Sequence, residues 1–254
     1  GPNHGQFGEK FPLPMGERAV ERAKERSEKT GKKFTALDYL VESLAEPAAY
    51  VVKGYKNEMA VVYAPPISLS LDEIKATVAY LQAQGGEFDA AMINKPSEIT
   101  QGFYGKIAVA SAAGGGDPAH GKEVYEETCG DCHSLEGEPG DVGPDLSTIG
   151  TKGLKFISEA ILQPAKTITK GFETYVVVKK DGRKVVGLKA GEEDGAVELV
   201  TKDGDEVSIK KADIKEITQD KLLSVMPDDL SEEMTVKDYQ DVLSFMLMQK
   251  GKKK

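Results

Sequence analysis

The chain contains an internal repeat, and this feature limits the possible folds more than any other. Residues 39–55 match residues 156–172 without gaps at an offset of 117, and residues 70–81 match residues 235–246 at an offset of 165. The first pair is typical of a short amphipathic helix ended by a proline, and the second of a helix that begins at a hydroxyl cap with an acid three residues later. The repeat therefore predicts two related helical domains.

The second copy is longer than the first by 48 residues, which lie between its two matching segments. Those residues contain β-rich runs separated by Asp-Gly and acidic turns, a pattern that predicts hairpins. The runs are residues 173–180, 183–190, 196–201 and 206–210. We therefore expect a small antiparallel β module at residues 173–217, inserted into the second domain. Residues 88–116 end in a Gly-rich stretch and are predicted to be a linker.

The charge distribution limits the partners of the chain. The net charge is −9, and residues 114–254 carry 20 basic against 28 acidic side chains. An acidic surface repels phosphate backbones, so nucleic acid is not an expected partner, whereas a protein with a basic docking surface is. The longest apolar runs have only a few residues, and we expect no membrane span in this chain.

Cys129 and Cys132 are the two cysteines of the chain, and His133 follows them directly. In this C-x-x-C-H motif, two thiols three residues apart can both form thioethers with the vinyl groups of one porphyrin, which places the imidazole under the iron. The same residues are compatible with a redox dithiol or with half of a zinc site. The motif alone therefore favours haem but leaves two alternatives.

The surroundings of the motif follow a known order. A helical segment, residues 121–128, precedes the motif, Gly143-Pro-Asp-Leu146 follows His133 after ten residues, and Met226-Pro227 precedes the last predicted helix. In this order, residues 117–254 apart from the β insert resemble bacterial class I c-type cytochromes. Residues 154–246 further resemble the haem-binding domain of large planctomycete and verrucomicrobial proteins, in which a β insertion falls at the same place.

The resemblance implies one covalently attached haem c. Cys129 and Cys132 would form the thioethers, and His133 and Met226 would be the axial ligands of the iron. Pro144 would support the histidine, and Leu146 would pack on the porphyrin. Met226 is preferred as the distal ligand because it stands in a loop. Met234 lies one residue from a helix cap, and Met246 and Met248 are interpreted as packing residues within the terminal helix.

The same resemblance implies a function. An iron with two protein ligands leaves no open position for a substrate, so we expect a one-electron carrier between redox proteins and not an enzyme such as a peroxidase. The alternative is a haem-bearing docking subunit of a larger respiratory or oxidoreductase complex. Covalent haem implies maturation outside the cytoplasm of a bacterium, hence a periplasmic or otherwise exported protein whose signal peptide has been removed or is not included here.

The first copy has no C-x-x-C motif. Met59 is the counterpart of Met226, and His4 can be aligned with His133. Residues 1–87 are therefore interpreted as a degenerate domain without haem, as a truncated domain, or as a domain in which His4 and Met59 hold a haem without thioethers. The predicted fold class is mainly α, with two cytochrome c-like helical domains in tandem (residues 1–87 and 117–254), the second interrupted by the β module.

Overall fold

The structure is a computed structural model, and it describes residues 13–87, 90–111 and 114–251. The chain divides into two compact units, Gly1–Gly116 and Asp117–Lys254. Among the helices of the described residues, none combines the length and the apolar character that crossing a bilayer requires.

The first unit is helical in its described part. Its helices are α1 (Met15–Thr30), α2 (Ala36–Ala45), α3 (Leu71–Gln82), α4 (Ala90–Asn94) and α5 (Glu98–Ala110), and a 3₁₀ turn follows α2 at Pro47–Ala49. Helices α2 and α3 both begin at capping boxes, in which a hydroxyl and an acid satisfy each other's backbone donors. Ala19, Leu40, Val78 and Phe103 bring α1, α2, α3 and α5 into one buried core.

The second unit combines helices with two sheets. Its helices are α6 (Pro118–Thr128), α7 (Leu154–Leu162), α8 (Leu230–Glu233) and α9 (Val236–Met248), with 3₁₀ turns at Ile149–Lys152 and Lys211–Asp213. A short hairpin, β1 (His133–Leu135) and β2 (Glu138–Asp141), follows α6. The large sheet is formed by β3 (Thr174–Lys179), β4 (Lys184–Glu193), β5 (Ala196–Val200), β6 (Glu206–Lys210) and β7 (Ile214–Asp220).

The large sheet is antiparallel throughout, with the strand order β6-β5-β4-β3-β7. Val177, Val197, Leu199 and Ile209 form its separate buried core. The sequence predicts the runs that become β3 to β6, but it predicts no strand at β7. The predicted module ends at residue 217, three residues before β7 ends. Most residues of this edge strand are exposed, so β7 lacks the apolar alternation that identifies a half-buried strand.

Helices α6 and α9 cross at a very short distance, and Gly121 makes this possible. A Cβ atom at Gly121 would lie 2.0 Å from the carbonyl oxygen of Asp241 and 3.0 Å from the Cβ of Phe245. Tyr125 of α6 packs beside the ring of Phe245, with 5.6 Å between ring centroids. The crossing fixes the end of α6, where the C-x-x-C-H motif begins.

Gly121→Ala is expected to destabilise the second unit by about 1–3 kcal/mol, because the added methyl group forces α6 and α9 apart. The matched control is Gly102→Ala in α5, where a Cβ atom would have no neighbour within 4 Å. This control is expected to stabilise the first unit by about 0.5–1 kcal/mol through helix propensity alone. Calorimetric unfolding of both variants tests the pair, and an equal gain in stability for Gly121→Ala would contradict the close crossing.

The predicted fold class is wrong. Strands make up 16% of the structure, and the five-stranded sheet gives the second unit a mixed α and β character. The first unit is not a second copy of a cytochrome domain. At the offset of 117, Cys132–Ser147 aligns with Met15–Thr30, which is helix α1. Residues 88–116, predicted to be a linker, contain α4 and α5, and Phe103 and Ile107 are buried in the core of the first unit.

In the first unit, an ion pair and aromatic rings fill the space beside α2. The Arg26 guanidinium donates from Nε and Nη2 to the two carboxylate oxygens of Glu42, at 2.6 and 2.5 Å, and both side chains are buried. The same guanidinium lies 5.3 Å from the ring centroid of Tyr50, which contacts Tyr39 edge to face. A paired and stacked arginine of this kind is a packing element.

Candidate functional site

A cavity lies in the second unit, between the end of α6, helix α7, the loop before α8 and helix α9. Every site residue that the sequence predicts in the second domain lines it: Cys129, Cys132, His133, Pro144, Leu146 and Met226. These residues come from three segments that are far apart in the sequence. The fold therefore brings the predicted set together.

The end of α6 positions the two thiols. The backbone N–H groups of Cys129 and Gly130 both donate to the carbonyl of Tyr125, at 2.8 Å, which ends the helix. The N–H groups of Cys132 and His133 then donate to the carbonyl of Cys129, at 3.1 and 2.9 Å. This tight turn places Cys129, Cys132 and His133 on the wall of one cavity.

The imidazole of His133 is held in one orientation. Its Nδ1 lies 2.8 Å from the carbonyl oxygen of Pro144, which can only accept, so Nδ1 carries the proton and Nε2 keeps its lone pair. Gly143 leaves room for the ring, because a Cβ atom there would lie 2.4 Å from Cε1 of His133. Burial lowers the pKa of His133 and favours the neutral form that binds metals.

The loop after the motif is tied back to it by backbone hydrogen bonds. The carbonyl of Cys132 accepts from the N–H groups of Val142 and Gly143, at 3.2 and 2.7 Å, and the carbonyl of Ser134 accepts from Leu146 at 2.9 Å. Leu146 is buried in the core between the helices. Pro144 and Leu146 thus stand where the resemblance places them, one behind the imidazole and one on the cavity wall.

The thiols are poorly suited to redox chemistry as a dithiol pair. Burial, followed by the charge of Cys132, raises the pKa of Cys129 to about 12, and burial also raises the pKa of Cys132. A reactive C-x-x-C pair requires the opposite, a thiol whose pKa is lowered so that the thiolate is present at neutral pH. The surroundings of these cysteines therefore disfavour the dithiol alternative.

The zinc alternative also lacks support. In the part of the chain that the structure describes, the one set of three side chains close enough to share a metal ion is His120, Asp238 and Asp241, which includes neither cysteine. Asp241 already accepts from the ammonium of Lys237, at 2.5 Å, and lies 2.8 Å from Nδ1 of His120. These contacts link α6 to α9 and leave the carboxylate engaged.

Three methionines line the cavity, namely Met226, Met234 and Met246. Met246 is buried in the core and Met226 is partly buried, with its backbone N–H donating to Ser224 Oγ at 3.1 Å. Met248 is 65% exposed and outside the cavity wall. Met226 as the distal ligand therefore remains a prediction, with Met234 as its nearest competitor.

The candidate residues of the first unit are Met59 and His4. Met59 is 47% exposed, unlike Met226. His4 lies outside the described residues.

Sequence reasoning missed part of the cavity wall. Phe156, Phe172 and Ile168 line it, and Lys202 reaches it from the turn between β5 and β6. The phenylalanines could have been found, because both lie in the repeat and align with Tyr39 and Tyr55. Nothing in the sequence indicates that the β5–β6 turn bends toward the cavity.

Comparison with known families agrees with this geometry. Residues 118–192 match the family described as Cytochrome c. The match covers the C-x-x-C-H motif, the Gly-Pro-Asp-Leu segment and α7, and it ends before Met226. A comparison with curated proteins finds no match to this chain. The match at residues 118–192 supports a c-type cytochrome and implies covalently bound haem c.

The matched residues also support a role in haem binding and electron transfer. The same match suggests redox partners.

Proposed function

We propose that this protein is a mono-haem c-type cytochrome that carries single electrons between redox proteins. Cys129 and Cys132 form the thioethers, and His133 and Met226 are the axial ligands. The observation that carries the proposal is the convergence of three distant segments, residues 129–133, 144–146 and 226, on one cavity.

The residues of the cavity fit a porphyrin. Its wall is mainly apolar, with Phe156, Ile157 and Leu146 among its members, and both cysteines have free thiols. When bound, the haem supplies a one-electron couple at its iron. The chain's own residues hold the imidazole with a free Nε2, exclude water and present the thiols. An iron with two protein ligands leaves no open position for a substrate, which supports a carrier over an enzyme.

The packing of the first unit supports one haem per chain. At the offset of 117, the cavity-lining residues Phe156 and Thr167 correspond to Tyr39 and Tyr50. These tyrosines contact each other with 6.2 Å between ring centroids, and Arg26 packs against Tyr50. At these aligned positions, the first unit has aromatic side chains that pack against each other.

The surface beside the cavity suits a protein partner. Leu222 is 89% exposed and Leu223 is 37% exposed, and both directly precede the cavity-lining segment that begins at Ser224. Apolar residues at the edge of a redox site, on an acidic unit, fit a partner with a basic docking surface. Covalent haem further supports an exported location, such as the periplasm of a bacterium. Membership in a larger complex remains the alternative.

A pyridine haemochrome assay against protein concentration, run beside a denaturing gel stained for covalent haem, tests the proposal. One haem per chain, all of it covalent, is the expected result. A ratio near two, with half of the haem extractable by acid-acetone, would contradict the haem-free first unit. Absence of covalent haem would overturn the cytochrome assignment. Carbon monoxide binding to the reduced protein would identify an enzyme, and the native mass by size exclusion would identify a complex subunit.

A further inference from the structure

The turn between β5 and β6, residues 201–205, brings the β insert to the cavity. Lys202 lines the cavity wall. A Cβ atom at Gly204 would lie 3.8 Å from a methyl group of Val142, which directly precedes the Gly143-Pro144 segment behind His133. The insert is therefore next to the loop that orients the imidazole.

Lys202 differs in charge from the rest of this wall. Among the described residues that line the cavity, it is the one lysine, and the wall contains no arginine, aspartate or glutamate. Lys189 of β4 and Lys211 of the 3₁₀ turn after β6 both pair with Glu192. Lys202 has no such ion pair with any carboxylate in the described ranges, and its ammonium group is available to a ligand.

The turn that carries Lys202 is held by its own hydrogen bonds. The N–H of Thr201 donates to the carbonyl of Asp205 at 2.9 Å, and the N–H of Gly204 donates to the carbonyl of Thr201 at 3.1 Å. The hydroxyl of Thr201 accepts from the N–H groups of Asp203 and Asp205, both at 3.3 Å. Gly204 has a φ of 80°, which suits glycine in a tight turn. These bonds hold the backbone of the turn that carries Lys202.

We propose that the ammonium group of Lys202 binds a propionate carboxylate of the haem, so that the β insert is one wall of the haem site. The inference rests on the proposed function. A haem carries two propionate groups, and a lysine supplies a full positive charge and three donors to a carboxylate. The hydroxyls of Thr167, Thr169 and Ser224 line the same cavity and can donate to the remaining carboxylate oxygens.

The proposal predicts the reduction potential of two variants. The oxidised iron carries one more positive charge than the reduced iron, so a cation at the haem edge disfavours oxidation and raises the potential. Lys202→Gln is expected to lower the potential, and Lys202→Glu to lower it about twice as far, because the charge changes by two. Lys202→Arg keeps the charge and should restore most of the original value. The measurement is a redox titration followed by haem absorbance.

Lys215→Gln is the matched control. Lys215 is exposed, belongs to the same sheet and is not part of the cavity wall. In the pairing of β3 with β7, Lys215 lies between Ile214, which pairs with Lys179, and Glu216, which pairs with Val178. It is therefore beside the end of β3. The cavity-lining Phe172 precedes the start of that strand. The substitution removes the same charge at a distance from the cavity, and the potential should stay close to that of the parent.

The haem content of every variant separates the two possible failures. If the parent protein carries no covalent haem, the proposed function fails, and with it the inference. If haem content is normal and the potential of Lys202→Gln equals that of Lys215→Gln, the proposed function stands and the role of Lys202 is wrong. Equal shifts for Lys202→Gln and Lys202→Glu would also contradict a direct charge effect.

Discussion

Replacing Cys129 and Cys132 together with alanine is expected to reduce covalently bound haem from one per chain to none. The chain contains no other cysteine, so no other thiol can form a thioether. The fold of the second unit should be weakened as well, because both thiols belong to the wall of a mainly apolar cavity that the porphyrin fills in the proposed holoprotein. The measurement is the haem stain on a denaturing gel, together with the pyridine haemochrome ratio.

Asp131→Ala is the matched control for the cysteine variant. Asp131 stands inside the motif, is exposed and does not line the cavity. Its removal leaves the spacing of the two thiols unchanged, so the haem ratio should stay near one. Haem that survives denaturation in the double cysteine variant would show that the attachment is elsewhere.

The second large effect is expected for Met226→Ala. Loss of the thioether sulfur opens one axial position of the iron, so the reduced protein should change from no detectable carbon monoxide binding to one carbon monoxide per haem. The reduction potential should fall, because methionine ligation raises it. Covalent haem content should remain at one, since Cys129 and Cys132 are untouched. Absorption spectra with and without carbon monoxide check the prediction.

Two further methionine variants make the result specific. Met234→Ala changes a residue that also lines the cavity, and Met248→Ala changes an exposed residue at the end of α9. Neither should open the iron. If Met234→Ala binds carbon monoxide and Met226→Ala does not, Met234 is the distal ligand and the assignment from the sequence is wrong.

Local signals in the sequence predicted helices in both units. Ser70 with Glu73 and Thr235 with Asp238 form the expected capping boxes, and α3 and α9 begin at the following residue. Pro47 and Pro164 follow α2 and α7 within two residues. Such signals act over one turn of helix, and for this reason they can be identified without knowledge of the fold.

Features that depend on tertiary packing were not predictable in this way. The Gly-rich end of residues 88–116 indicates a linker, but Phe103 and Ile107 supply an apolar face that α5 buries in the first unit. The repeat predicts two related domains. It does not show that residues 15–30, which align with the C-x-x-C-H segment at the offset of 117, form helix α1, or that the pair Arg26–Glu42 is buried.

The site residues also include some that local sequence signals identify and others that only tertiary packing places at the cavity. Cys129, Cys132 and His133 are contiguous, and their spacing alone indicates their chemistry. Lys202 has no motif around it, and its place at the cavity depends on how the sheet folds back on the loop at Val142. Residues of this second kind are found from a structure and not from spacing.

The two ends of the β insert are hydrogen-bonded neighbours. Strand β3 opens the module and β7 closes it, and Thr174 pairs with Asp220 across the two strands. A pair of this kind separates the entry and exit points by only about 5 Å, a gap that a turn of a few residues can bridge. The helical host therefore accommodates the whole sheet with almost no displacement of its own chain path. Modules with adjoining ends can be gained, lost or exchanged between proteins as single units, and the edge of the cavity can acquire new side chains without any change in the helices that hold the imidazole.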